Sequence, residues 1–286
     1  MFIKQYINIA IVSIALLVLN ACGDAENADK TDAQTSSEQD ITILRVGVCP
    51  GPHGKIVAEG IGPILKKQNI TVEVVEFPDY VQPNMALVSG DIQANVFQHK
   101  IFLQNTIDSL GIDIVDVTTV PTPIGMAAFS EKYNSFEQLQ SGDTVLIPND
   151  AVNTGRALRL ARDAGIITLN QADINEIKAS LGDIAENKYN VEFVLVDAAQ
   201  ISRSLDSIAV GFINGNFVLA AGLDFDDALI TEKPIEELKN RVVVRGSDKE
   251  TIGKILKEAV ESEEFKAYID GNEYYKGFSR PAWWDR

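Results

Sequence analysis

Ile43-Leu44-Arg45-Val46-Gly47-Val48-Cys49-Pro50-Gly51-Pro52-His53 decides how the rest of the chain is read. The apolar run over 43–48 has the length of one strand. The Pro-Gly-Pro behind it is a turn signal, and the pattern over 53–67 is that of an amphipathic helix. This alternation continues along the chain, with strands expected over 71–77, 92–96 and 112–117 and helices over 81–89 and 98–110. Strands separated by helices of this length imply βαβ units and a mostly parallel sheet. Pro121 and Pro123 then interrupt the pattern, as a crossover would.

A second series starts near Ile124, with strands expected over 125–129, 144–147, 191–196 and 207–213 and helices over 154–164, 171–177 and 198–205. A strand over 241–244 and a helix pair over 249–269 follow. The expected fold class is therefore α/β, with two lobes and a cleft between them. Residues 42–121 with 223–286 are assigned to one lobe and 122–222 to the other. Ligands of open parallel sheets sit beyond the carboxyl ends of the strands. Pro50-Gly51-Pro52-His53, Pro78-Asp79-Tyr80, Phe97-Gln98-His99, Pro148-Asn149-Asp150 and Asn214-Gly215-Asn216 all fall at such ends, which points to one shared site.

The first 21 residues read differently. Lys4 is the only charge before an apolar run over 7–19, interrupted by Asn8 and Ser13. Such a run is too short to span a bilayer and reads as a signal peptide. It closes on Leu19-Asn20-Ala21-Cys22-Gly23, which resembles a bacterial lipobox, so Cys22 is the expected acylation site and first mature residue. Acyl chains on one cysteine anchor a protein without spanning the membrane. Residues 22–41 lack large apolar side chains up to Ile41 and read as a flexible acidic tether. With Cys22 lipidated, Cys49 has no partner for a disulfide and reads as a small packing residue. No aspartate stands directly after Cys22, which favours the periplasmic face of the outer membrane in a two-membrane cell. In a one-membrane cell the outer face of the plasma membrane is the only choice.

The 41 acidic residues outnumber the 25 basic ones, for a formal charge of −16, and no basic stripe is present to meet nucleic acid. Catalytic signatures are also missing: there is no Gly-x-Ser-x-Gly elbow, His-Glu-x-x-His, Walker loop or dinucleotide fingerprint. His53 and His99 are the only histidines and have no zinc-site spacing. Neither an enzyme nor a resident cofactor or metal is expected. Arg156 is the natural partner for a buried carboxylate, near a helix start where backbone N–H groups also favour anions. Its plain alternative is a solvated helix face shared with Arg159 and Arg162. Tyr80, Phe97 and Phe102 are core aromatics or cleft walls, and Asn149, Asn153, Asn214 and Asn216 are caps and turns or ligand contacts.

Taken together, Val46-Gly47-Val48, the Pro50–His53 turn, the run from Val75 to Asn84, Asn95-Val96-Phe97-Gln98-His99, Ile147-Pro148-Asn149-Asp150, Asn153-Thr154-Gly155-Arg156-Ala157-Leu158 and Ile213-Asn214-Gly215-Asn216-Phe217 resemble the NlpA/MetQ family of methionine-binding lipoproteins. The resemblance runs from Leu44 to the C-terminal helices, with Cys49 and Phe102 as departures. It implies a periplasmic binding protein type II fold that closes on an amino acid and delivers it to an ABC permease and its ATPase, with a monomer as the unit. It also implies that Arg156 pairs with the ligand carboxylate, that Asn149, Asn153 and Asn214 hydrogen-bond the amino-acid backbone, and that Tyr80, Phe97 and His99 flank the thioether. Methionine, L- or D-, is the expected solute. A methionine-containing short peptide or a metal ion on the same fold, or an anchored surface interaction protein, are the alternatives.

Overall fold

The computed structural model describes residues 42–170, 179–233 and 235–286. The signal segment, Cys22, the tether and the helix expected over 171–177 lie outside the described residues. In chain order the strands are β1 (Thr42–Val48), β2 (Ile70–Glu76), β3 (Ala94–His99) and β4 (Ile114–Thr119). After a crossing come β5 (Met126–Phe129), β6 (Thr144–Pro148), β7 (Ile167–Leu169), β8 (Ile184–Asn187), β9 (Glu192–Val196), β10 (Val210–Asn214) and β11 (Ile230–Thr231). The chain then returns as β12 (Asn240–Arg245).

Two five-stranded sheets result, ordered β2-β1-β3-β12-β4 and β11-β5-β10-β6-β9. Read from its other edge, the second sheet repeats the first. The lobe's opening strand (β1, β6) lies between its second (β2, β9) and third (β3, β10) partners. Next comes the strand arriving from the opposite lobe (β12, β5), and last the edge strand (β4, β11). In each sheet only the arriving strand runs antiparallel to the rest. Four of five strands in each sheet therefore point their carboxyl ends the same way, and those ends open on the cleft. The β7–β8 antiparallel pair was not foreseen, and β11 keeps the second sheet going to Thr231, beyond the 222/223 boundary read from sequence.

Alternation in β1 shows why this stretch orders the first lobe. Leu44, Val46 and Val48 are buried against Ile56, Val57, Ile61 and Leu65 of the helical segment 53–66, which includes a π-helical stretch at Ile56–Ile61. Arg45 faces outward and pairs with Glu73, its registered neighbour on β2. Each of those aliphatic side chains contributes about 1.5–3 kcal/mol by leaving water. In the second lobe Val145, Ile147 and Phe212 pack on Leu158 and Ala161 of the helix Ala151–Asp163.

The two crossings are tied to each other. Val120 N–H donates to the Asn240 carbonyl, Asn240 N–H to the Thr122 hydroxyl, and Thr122 exchanges backbone bonds with Ser279 of the C-terminal segment. Both connections thus run side by side beneath the cleft, where a hinge between lobes has to lie. Phe97, Gln98 and His99 sit inside β3 rather than after it, and the following helix starts at Lys100 instead of 98. The reason is capping: His99 has extended backbone geometry and its side chain accepts the Phe102 N–H, which makes it the N-cap.

Candidate functional site

A cleft with about 40 Å³ of room for the centres of water-sized molecules lies between the carboxyl ends of the two sheets. That is room for about three water molecules. Tyr80, Phe97, His99, Asn153, Arg156 and Asn214, all singled out from sequence, line it. Asn149 does not. It is exposed on the outer side of the turn, because Asp150 takes the N-cap position of the helix Ala151–Asp163 and receives the Asn153 N–H.

Arg156 is 3 % exposed. Glu232, just past β11, grips one edge of the guanidinium, accepting from Nε at 3.1 Å and from Nη2 at 2.5 Å. Gly125 permits this approach, since a Cβ there would stand 2.2 Å from Glu232 Oε2 and 2.9 Å from Arg156 Nη2. Burial opposes the arginine's charge, but the Glu232 carboxylate outweighs it and holds the pKa above its ordinary value. The other edge of the guanidinium faces the cleft. Nη1 donates to Asn153 Oδ1 at 2.7 Å and lies 3.2 Å from His99 Nε2 across the lobe boundary.

The state of His99 follows from its surroundings. Burial, then Arg156, Arg241 and Arg159, push its pKa well below the ordinary histidine value, so the ring is neutral. Its Nδ1 accepts the Phe102 N–H at 3.2 Å, which leaves the proton on Nε2. Two donors, Arg156 Nη1–H and His99 Nε2–H, therefore lie side by side with no acceptor shared by the pair. An anionic oxygen at the apex of a triangle on the two nitrogens accepts from both.

Asn153 serves its neighbours more than the cleft. Its Oδ1 takes both Arg156 Nη1 and Asn214 Nδ2, and its Nδ2 donates to Asp150. Asn214 ends β10 with its amide nitrogen spent on Asn153 and its buried Oδ1 without a partner. Gly215 lets this strand end meet the crossing, where a Cβ would come within 1.8 Å of the Ile124 carbonyl. The cleft wall is completed by aromatic rings. Tyr80 stacks on Phe97 at 5.9 Å and lies 5.3 Å from Phe217 of the other lobe. Phe102 stands edge-on to Tyr80 and Phe97, filling space that a hydroxyl would make polar. Cys49 is buried and donates to the Asp79 carbonyl, so it braces the turn that carries Tyr80.

Asn216 joins the lobes. Its Oδ1 accepts from the Tyr80 hydroxyl at 2.6 Å and its Nδ2 donates to the Pro50 carbonyl at 2.9 Å. Sequence reading grouped this residue with Asn149, Asn153 and Asn214 as a cap, turn or ligand contact, and did not foresee a link between the lobes. Glu232 carried no signal at all, as a lone acid between two loop stretches looks like any surface carboxylate.

Comparison with known proteins fits this geometry. The NlpA lipoprotein family model matches residues 44–283. The chain belongs to the NlpA lipoprotein family. It is 36% identical over 253 residues to the D-methionine-binding lipoprotein MetQ of Escherichia coli K12, covering 86% of this chain and 90% of that one. Among solved structures it is similar to a nutrient-binding protein from Burkholderia cenocepacia bound to methionine, at 34% identity and a TM-score of 0.75, over 82% of this chain and 97% of that one. A periplasmic substrate-binding protein of an ABC transporter from Coxiella burnetii is similar at 33% identity and a TM-score of 0.73, over 83% and 99%. This NlpA-family chain thus has the two-lobed fold of periplasmic substrate-binding proteins, and the family is one of binding proteins rather than enzymes.

Two outcomes follow for the NlpA-family cleft. Asn216→Ala removes two interlobe hydrogen bonds of about 0.5–1.5 kcal/mol each, so a spin label on each lobe of the ligand-free protein should report longer distances than in wild type. Unchanged distances would remove Asn216 from the closing mechanism. The second concerns pH. Burial pushes His53 down to about 4, only partly opposed by Asn240, so the folded ring is neutral where an unfolded one, near 6.5, is protonated. Between those values the unfolded chain binds more protons, and stability falls as the pH drops. His53 alone accounts for roughly 3 kcal/mol by the low end of that window. Urea unfolding of wild type against His53→Gln should show a steeper acid loss in wild type.

Proposed function

We propose that this protein is the solute-binding component of an ATP-driven importer, anchored through lipid on Cys22, and that it captures methionine as a zwitterion by lobe closure. The observation that carries the reading is the adjacent pair of donors, Arg156 Nη1–H and His99 Nε2–H, beside the partnerless acceptor Asn214 Oδ1. A carboxylate oxygen beside the donors accepts from both and an ammonium group fits the acceptor, which is the polarity of a free amino acid. His99 then serves the carboxylate rather than the thioether, and Asn153 holds Arg156 and Asn214 in place. The apolar side chain lies among Tyr80, Phe97 and Phe102, whose rings gather on the first-lobe side of the cleft.

Methionine is favoured over other apolar amino acids by the relatives, one named for D-methionine and one solved with methionine bound. The E. coli name makes the D enantiomer the first competitor to compare with the L form. Delivery to a permease and its ATPase is supported by the ABC-transporter relative, and the protein is read as acting as a monomer. Anchoring at the cell envelope is supported by the lipoprotein family and by the Cys22 sequence. Closure brings the charge pair out of water, where its attraction strengthens, and the permease reads the closed form.

Titration calorimetry on the full-length protein in detergent tests this. Arg156→Ala should weaken L-methionine binding by about 2–5 kcal/mol, as expected for truncating a buried charge partner. Arg156→Lys, which keeps charge but loses the planar fork, should fall in between. Binding unchanged in Arg156→Ala would refute the carboxylate assignment.

A further inference from the structure

His53 follows the Pro50-Gly51-Pro52 turn and lines the cleft. It is 1 % exposed, and neither ring nitrogen has a hydrogen-bond partner. Asn240 stands close enough to oppose the effect of burial on the ring, yet it does not reach hydrogen-bonding geometry, and its own amide nitrogen is spent on the Phe97 carbonyl. A neutral imidazole presents one donor and one acceptor. Buried polar groups of native proteins almost always find partners, so His53 is a group waiting for a contact from inside the cleft.

The cleft's other polar atoms are already assigned by the zwitterion. Its carboxylate takes Arg156 and His99, and its ammonium takes Asn214 Oδ1. Among the described residues, the partnerless buried side-chain atoms that line this cleft are Asn214 Oδ1 and the two nitrogens of His53. The Tyr80 hydroxyl gives its proton to Asn216 and makes no hydrogen bond with His53. What remains for His53 is the side chain of the ligand. An all-carbon chain offers it nothing, whereas a thioether sulfur is a weak acceptor.

We propose that His53 is a specificity-determining residue that donates a ring N–H to the thioether sulfur of the ligand, so that the cleft separates a thioether from the hydrocarbon chain of the same shape. The inference rests on the reading of the cleft as a methionine site and adds to it the residue that recognises sulfur. Discrimination by a site built for a strong acceptor reaches 10⁴ or more. Sulfur accepts weakly, so the expected preference is smaller, on the order of tenfold. The neutral ring that burial enforces is the form able to make this contact without placing an uncompensated charge against an apolar chain.

The experiment is titration of L-methionine and L-norleucine into the full-length protein, as wild type, His53→Phe and His53→Gln. Wild type should favour methionine by about tenfold. His53→Phe should bring the two affinities within roughly twofold, and His53→Gln, which keeps an N–H donor, should retain part of the preference. Equal affinities in wild type overturn the proposal even if a variant does not fold, and so does an undiminished preference in His53→Phe. Methionine bound without discrimination defeats this inference alone, whereas wild type binding neither ligand defeats the methionine reading and this inference with it.

Discussion

The structure turns on one buried cation. Arg156 sits at the junction of the lobes, and a guanidinium so far from water has to be neutralised or hydrogen-bonded along every edge. Glu232 meets that need on one side, reaching it only because Gly125 has no side chain. Asn153 meets part of it on another, and is itself fixed by the Asp150 cap. The edge left over points at His99 of the opposite lobe. The arrangement therefore leaves a pair of N–H donors without an acceptor, and that pair is assembled only when the lobes are together.

Topology explains why the groups meet there. Both sheets use the same strand order, and each exchanges one strand with the other lobe. The ends of β1 and β3 bring Pro50, His53 and His99 to one wall. The ends of β6 and β10 bring Asp150, Asn153 and Asn214 to the other. Asn216 then spans the gap to Pro50 and Tyr80, so neutral hydrogen bonds link the two walls. A closed state held by a few modest bonds can reopen.

Much of this was legible in the chain itself. Apolar runs of strand length alternating with helical periodicity gave the α/β class, because burial on two faces of a parallel sheet leaves that imprint. Turn residues at strand ends marked most of the cleft, since polar side chains next to buried strands have few other reasons to be there. Three things were hidden. Asn149 looked like its neighbour Asn153, and only the identity of the N-cap, Asp150, decides which of the two turns inward. Glu232 lies 76 positions from Arg156, and no local pattern records a pairing made through tertiary packing. The repeated strand order left no sequence repeat because topology constrains direction and connection, not side chains.

Capture of a single amino acid in this cleft is the central claim. Native mass spectrometry of the full-length protein, released gently from detergent micelles after purification and again after unfolding and refolding, addresses it most directly. The account predicts a mass excess of one methionine that is lost on refolding and regained on adding methionine. A protein that stays at its bare mass in the presence of methionine, or that instead carries a peptide or a metal ion, would contradict it.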